Sequence, residues 1–236
     1  MARQLDEQLG GRFPVGQRLR VLDVGMGRGV QALRLARAGH RVTGLEQDPA
    51  MLAAAHEALA AEPEGIRGRM RIMEGDGRDT GVHFLPGSFD VVLCHGVLMY
   101  QQDPDAMIAG LARVLAPGGL VSLLVRNAGA LALRPGLSGD WPAALDAFGT
   151  TAYTDRLGVP ARAGRLEALT MTLAGVGAPL HTWYGVRVFT DTAGDEARLH
   201  ADEDTARALL AAEERAGRTD PYRGVAALLH LCGVRG

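Results

Sequence analysis

The sequence predicts an α/β fold, a doubly wound and mostly parallel sheet. Three observations predict it. Apolar runs of strand length alternate with helix-length segments over residues 20–125. The connections between them are short. One run, Phe89-Asp90-Val91-Val92-Leu93-Cys94-His95, is nearly all apolar, as a strand covered on both faces must be.

The elements follow in order. Residues 4–10 read as the end of a helix stopped by Gly10-Gly11, and 20–24 as the first strand. A helix over 29–38 closes at Gly39, and 41–46 is the second strand. Asp48-Pro49 opens a helix over about 49–60, with proline in its first turn. Residues 70–74 alternate with period two, as a third strand, and 89–95 is the fourth. Asp103-Pro104 opens a helix to about Leu115, and Pro117-Gly118-Gly119 turns the chain into a fifth strand from Leu120 to Val125. The periodicity changes after Arg126. Residues 128–160 are rich in Pro and Gly and predict loops with one or two short helices. A helix over 166–174, a strand over 181–189, a charged helix over 202–215 with a solvated face, and a last strand over 225–232 complete the reading. The expectation is one domain over 1–236, with 128–165 a loop-rich, substrate-covering insertion over the strand ends.

Composition narrows the function. The chain has 236 residues, 47% of them hydrophobic, enough to bury a full core. Its net charge is −2, which excludes the global basic field of many nucleic-acid binders. The two cysteines, Cys94 and Cys232, lie in apolar runs without CxxC spacing, so no metal site is expected. No run approaches the roughly 18 apolar residues of a membrane span. The N-terminal residues carry no signal-peptide core. A soluble cytoplasmic protein is expected, with the oligomeric state open.

In such sheets ligands bind beyond the carboxyl ends of the strands. Gly25, Glu46, Asp76 and His95 all fall at or just past such ends. Val21-Leu22-Asp23-Val24-Gly25-Met26-Gly27-Arg28-Gly29 carries a strand straight into a glycine turn and a helix. Glu46 follows Gly29 by 17 residues, at the next strand tip. The turn lets backbone approach a nucleoside, and the acid can accept both ribose hydroxyls. Three features favour S-adenosylmethionine (SAM) over a dinucleotide. Asp23 precedes the turn, where it can fix the loop. Asp76-Gly77 follows the third strand, where a carboxylate can accept the adenine amino group, with Asp79 its rival. Pro117-Gly118-Gly119 links the fourth and fifth strands. His95 is placed to touch SAM or the methyl acceptor, and Tyr100 to wall the same pocket. Trp183 and Tyr184 are candidates for stacking, or for an aromatic edge strand.

Residues 20–127 resemble the class I SAM-dependent methyltransferases, with their Rossmann-like sheet. The likeness narrows at His95-Gly96-Val97-Leu98, Asp103-Pro104, Leu115-Ala116-Pro117-Gly118-Gly119, Ser122-Leu123, Asn127-Ala128, Gly185-Val186-Arg187-Val188-Phe189 and Pro221-Tyr222. These resemble the tRNA 5-carboxymethoxyuridine methyltransferase family, which esterifies the carboxylate of a modified wobble uridine. The resemblance implies backbone contacts to SAM from Gly25 and Met26, and Gly27 of the same turn is a further cofactor-binding candidate. The resemblance puts Glu46 on the ribose, Asp76 and Gly77 at the adenine, and His95 near the acceptor. The family's N-terminal arginine has no counterpart in the usual register. Its lysine-rich stretch corresponds to 156–165, with only Arg156, Arg162 and Arg165.

A carboxylate acceptor needs orientation rather than a base, because it is ionised near neutral pH. Arg126 and Arg187 are the candidates to hold it, each with a surface or ion-pair role as the alternative. An amine or phenol acceptor would instead recruit His95 as base. The acceptor is modified tRNA or a small carboxylic acid. A small-molecule methyltransferase and a noncatalytic SAM-binding protein are the competing readings. A nicotinamide dehydrogenase is opposed by Asp76 and the Pro-Gly-Gly turn.

Overall fold

A computed structural model describes residues 1–155, 157–191 and 202–236. Arg156, part of the expected basic stretch, lies outside the described residues. The chain divides into two compact units. One comprises Met1–Leu124, Thr170–Thr182 and Leu231–Gly236, the other Val125–Leu169 and Trp183–His230.

The strands of the sheet are β1 (Arg20–Val24), β2 (Arg41–Glu46), β3 (Met70–Glu74), β4 (Phe89–His95), β5 (Leu115–Arg126), β8 (Leu180–Val186) and β9 (Leu228–Val234). Their spatial order is β3-β2-β1-β4-β5-β9-β8. The pairings β1 with β2, β1 with β4, β2 with β3 and β4 with β5 are all parallel, so the expected doubly wound sheet is present. Its centre is apolar for the reason the sequence suggests. Val21, Leu22, Val24, Val91, Val92, Leu93 and Leu120 are fully buried.

The helices between the strands are α2 (Val30–Arg37), α3 (Pro49–Ala60), α4 (Glu64–Arg67), α5 (Thr80–His83) and α6 (Pro104–Val114). Asp48 caps α3 by accepting from the amides of Ala50 and Met51, and Asp103 caps α6 through Ala106. Two expectations change. The first helix, α1 (Ala2–Arg12), runs through Gly10-Gly11 and ends one residue beyond them. Leu5 and Leu9, four apart, are buried on one face, and that burial outweighs the glycines' weak propensity. β5 begins at Leu115, not Leu120. Pro117-Gly118-Gly119 is absorbed into a register jump, from Phe89↔Leu115 to Val91↔Leu120.

The second unit carries α7 (Leu133–Leu137), α8 (Trp141–Phe148) and a small antiparallel pair, β6 (Ala152–Thr154) with β7 (Pro160–Arg162), which the loop-rich composition hides. α9 (Leu166–Gly175) and α10 (Glu203–Ala216) match their expected spans closely. Expected to reach Phe189, β8 stops at Val186, because Arg187 turns to φ 61°. Among the described residues no helix is long and apolar enough to cross a membrane.

Candidate functional site

Parallel registers align the strand tips of the first unit. Val24 lies opposite both Leu45 and Cys94, and Glu46 lies opposite Glu74. The glycine turn after β1, the acid ending β2, the loop after β3 and His95 ending β4 therefore share one rim.

The turn is tight. Gly25 sits at φ 65°, and a Cβ there would stand 2.2 Å from Val97 Cγ2. No side chain fits without moving the loop after β4. The amides of Gly25 and Met26 donate to the Leu45 carbonyl at 2.8 and 3.2 Å. The Met26 side chain is buried against Gly44, so this residue has only backbone to offer a ligand. Glu46 ties the turn to the start of α3. Its Oε2 accepts from Gly27 N at 2.8 Å, and Oε1 accepts from the amides of Gln47 and Asp48 at 2.8 and 3.0 Å. Glu46 is only 8% exposed. A carboxylate has about four acceptor positions, so roughly one remains for a hydroxyl unless an amide gives way.

Behind this rim Asp23 is buried inside β1. Burial, reinforced by the negative field of Glu46, pushes its carboxyl up to about 7. Its Oδ2 has no hydrogen-bond partner among the described residues. At the third tip a cavity of about 510 Å3 is lined by Gln47, Asp76, Arg78, Tyr100, Asp103 and Met107, among others. Asp76 is in this lining and Asp79 is not. Arg78 grips Asp76, with its amide on Oδ1 and Nε on Oδ2, both at 2.8 Å. That side-chain hydrogen bond holds the carboxyl below its ordinary range. Gly77 is pinned between Met107 and Val24, each 2.6 Å from where a Cβ would be.

His95 Nε2 lies 2.9 Å from Ser122 Oγ on β5. Burial, with the N-terminal amine and Arg34 adding positive field, lowers its pKa to about 4. The imidazole is neutral near pH 7 and a weak base. Cys94 and Cys232 are fully buried thiols, and burial raises the pKa of both. Among the described residues no group of three or more His, Cys, Asp or Glu could hold a metal.

The second unit brings Arg126 and Arg187 together. Arg126 Nη2 donates to Asp191 Oδ2 at 2.9 Å, and Arg187 Nε lies 3.9 Å from Asp191 Oδ1. Glu213 of α10 accepts from the amides of Val188, Phe189 and Thr190 at 2.8–3.0 Å, so this helix face is more than solvated surface. Sequence reasoning missed both acids. Asp191 stands four residues after Arg187, a weak signal, and its bond to Arg126 spans 65 residues. Trp183 is covered by Arg223, 4.1 Å from the ring centre, and Tyr184 stacks on His230, so their role as an aromatic edge strand is the one seen.

The donor set fits a sulfonium nucleoside. It offers a side-chain-free cradle at Gly25, an acid between the turn and the next helix, and a polar cavity at Asp76. Residues 22–123 match the methyltransferase domain family. The tRNA 5-carboxymethoxyuridine methyltransferase of Escherichia coli K12 is 30% identical over 226 residues, covering 91% of this chain and 79% of that protein. The chain belongs to this family of class I SAM-dependent methyltransferases. SAM is thus the cofactor of this methyltransferase, and methyl transfer is its reaction class. A ubiquinone biosynthesis O-methyltransferase of Paracidovorax citrulli is 38% identical over 117 residues, covering 48% of this chain and 47% of that one. Among solved structures, a SAM-dependent methyltransferase from Mesorhizobium loti superposes with a TM-score of 0.65 at 21% identity, covering 100% of this chain and 98% of that one. The [4+2]-cyclase SpnF superposes at 0.64 and 22% identity, covering 98% and 80%. At such identities these two likenesses show the fold alone.

Proposed function

We propose that this methyltransferase esterifies a carboxylate, and that its acceptor is 5-carboxymethoxyuridine in tRNA. The observation that carries the reading is the reach of the similarity. The tRNA-modifying relative matches 91% of the chain, whereas ubiquinone biosynthesis O-methyltransferases match between 45% and 69% of it. The lowered pKa of His95 supports the same acceptor. A phenol needs a base near neutral pH, and a carboxylate does not.

Gly25, Met26 and Gly27 would hold SAM through backbone, Glu46 through its ribose, and Asp76 and Gly77 at the adenine. Asp23 lies buried in β1 just before the turn, and His95 would stand beside the acceptor as a neutral hydrogen-bonding group. When bound, SAM supplies a methyl group on a positively charged sulfur. The acceptor carboxylate oxygen would take that methyl, the S–C electron pair being left on sulfur, so the chain would need no residue to accept a proton. The protein's part is to orient the carboxylate at roughly 3–3.5 Å from the methyl carbon and to exclude water. Arg126 and Arg187 are the cations that would do the orienting.

The test is transfer of radiolabelled methyl from SAM to tRNA bearing carboxymethoxyuridine, to tRNA lacking it, and to a panel of small carboxylic acids. Label entering only the carboxylated tRNA, and released as methanol by mild alkali, is the expected result. Alkali-stable label, or label confined to the small acids, would overturn the proposal in favour of another acceptor.

A further inference from the structure

Helix α8 is amphipathic in the inverted sense. Small residues attach it to its own unit. Ala144 is buried, and Ala147 packs on the cluster of Ala128, Leu131 and Ala163. α7 meets it closely, since a Cβ at Gly136 would stand 3.7 Å from Ala144 Cβ. The large apolar side chains face water instead. Trp141, Leu145 and Phe148 of α8 are 66, 73 and 77% exposed. Their spacing, four residues and then three, puts them on one helix face. Leu133 and Leu137, four apart on α7, are exposed as well. Together these side chains leave roughly 500–600 Å2 of accessible surface, the upper end of the largest apolar patch on an ordinary monomer. Packing within the unit does not ask for this composition, because alanines already make the inward contacts.

The chemistry of the face selects its partner. Residues 133–148 carry one base, Arg134, and two acids, Asp140 and Asp146. A phosphate backbone or an anionic lipid surface would require an excess of cations there. A protein surface of matching apolar character does not. Trp141, Leu145 and Phe148 form a stripe with Leu145 in its middle. The stripe is therefore complementary to itself when a second α8 lies antiparallel across it. Trp141 of one copy then meets Phe148 of the other, and the two Leu145 side chains meet on the axis. Two such faces remove roughly 1,000–1,200 Å2 of mainly apolar surface, and the polar rim around them carries the total into the roughly 1,200–2,000 Å2 range of stable interfaces. We propose that the α7–α8 face is a twofold interface between two copies of this chain, centred on Leu145. It belongs to the second unit's own surface and is independent of the acceptor's identity.

The test is sedimentation velocity on the full chain over a range of micromolar concentrations, read together with three variants. The parent should sediment as a dimer, twice the 24.9 kDa chain. Leu145→Glu places two carboxylates against each other on the axis and should weaken association at least about a hundredfold, giving a monomer. Leu145 is exposed, so this variant should keep the parent's far-UV circular dichroism. Val82→Glu adds the same charge at an exposed side chain of α5 and should leave the dimer intact. Leu145→Cys tests the axis directly. A thiol facing its own copy should form an intermolecular disulfide under mild oxidation, whereas Cys94 and Cys232 of the parent are fully buried and should form none. A parent that is monomeric throughout overturns the proposal and leaves the face to a different protein. So does a dimer that survives Leu145→Glu, a dimer dissociated by Val82→Glu, or a Leu145→Cys chain that does not cross-link. Should Leu145→Glu lose its fold, the cross-linking result decides alone.

Discussion

Two buried titratable residues near the rim pull the pH profile of stability in opposite directions. Asp23 titrates at about 7 in the folded chain against 3.8 ordinarily. Between those values the folded state holds the extra proton, so stability falls as pH rises through the window. His95 titrates at about 4 against 6.5. There the unfolded state holds the extra proton, so stability rises with pH up to 6.5 and is fully present above it. The two slopes oppose one another between pH 4 and 6.5. Urea denaturation across that range should show Asp23→Asn adding a rise with pH and His95→Gln adding a fall. Identical profiles for the two variants would refute the assignment of burial as the cause. At Gly25 the constraint is steric. Gly25→Ala puts a methyl group 2.2 Å from Val97 Cγ2 at a left-handed backbone. It should lower stability by about 1–3 kcal/mol and weaken SAM binding at least about tenfold by calorimetry. Unchanged SAM affinity would remove the turn from the site.

At the scale of elements, two side chains fasten short segments that lie outside the main helices and strands. Asn127, at the end of β5, donates to the carbonyls of Gly224 and Ala226 at 3.0 and 2.9 Å and accepts from Gly129 N at 2.9 Å. Asn127→Ala should cost about 2–4 kcal/mol, since it strands buried carbonyls and an amide together. A thermal melt with less than a degree of change would show that these bonds are replaced by water. Glu213 does the same for 188–190. Glu213→Ala should loosen that turn, seen as faster amide exchange at Val188, Phe189 and Thr190, with α10 still helical. The helices and strands themselves were legible wherever periodicity and a cap agreed, as at Asp48-Pro49 and Asp103-Pro104. A single local signal misleads where packing overrides it. Gly10-Gly11 does not stop α1, because Leu5 and Leu9 are buried. Pro117-Gly118-Gly119 does not start β5, because a register jump absorbs it.

For the whole molecule, a net charge of −2 constrains how tRNA could be held. Without a global basic field, phosphate contacts fall to local arginines, so the salt dependence of the proposed tRNA binding should be shallow. A log–log slope smaller in magnitude than about 5 is expected by filter binding. A slope near 10 would require an extended basic track and a different mode of recognition.

The first unit's rim could be read from the chain because each of its residues follows an apolar strand, and parallel strands of one sheet must end together. Composition, strand–helix alternation and the spacing from Gly25 to Glu46 to Asp76 to His95 therefore determined the fold class and the shared rim where the nucleoside site is proposed. Only the tertiary structure decided that Arg126 and Arg187 share Asp191, that Glu213 holds the turn after β8, and that Ser122 meets His95. Those partners lie from a few residues to 65 apart, and no periodicity links them. Periodicity records which face of an element is buried. It carries no record of which polar groups meet once the elements are packed.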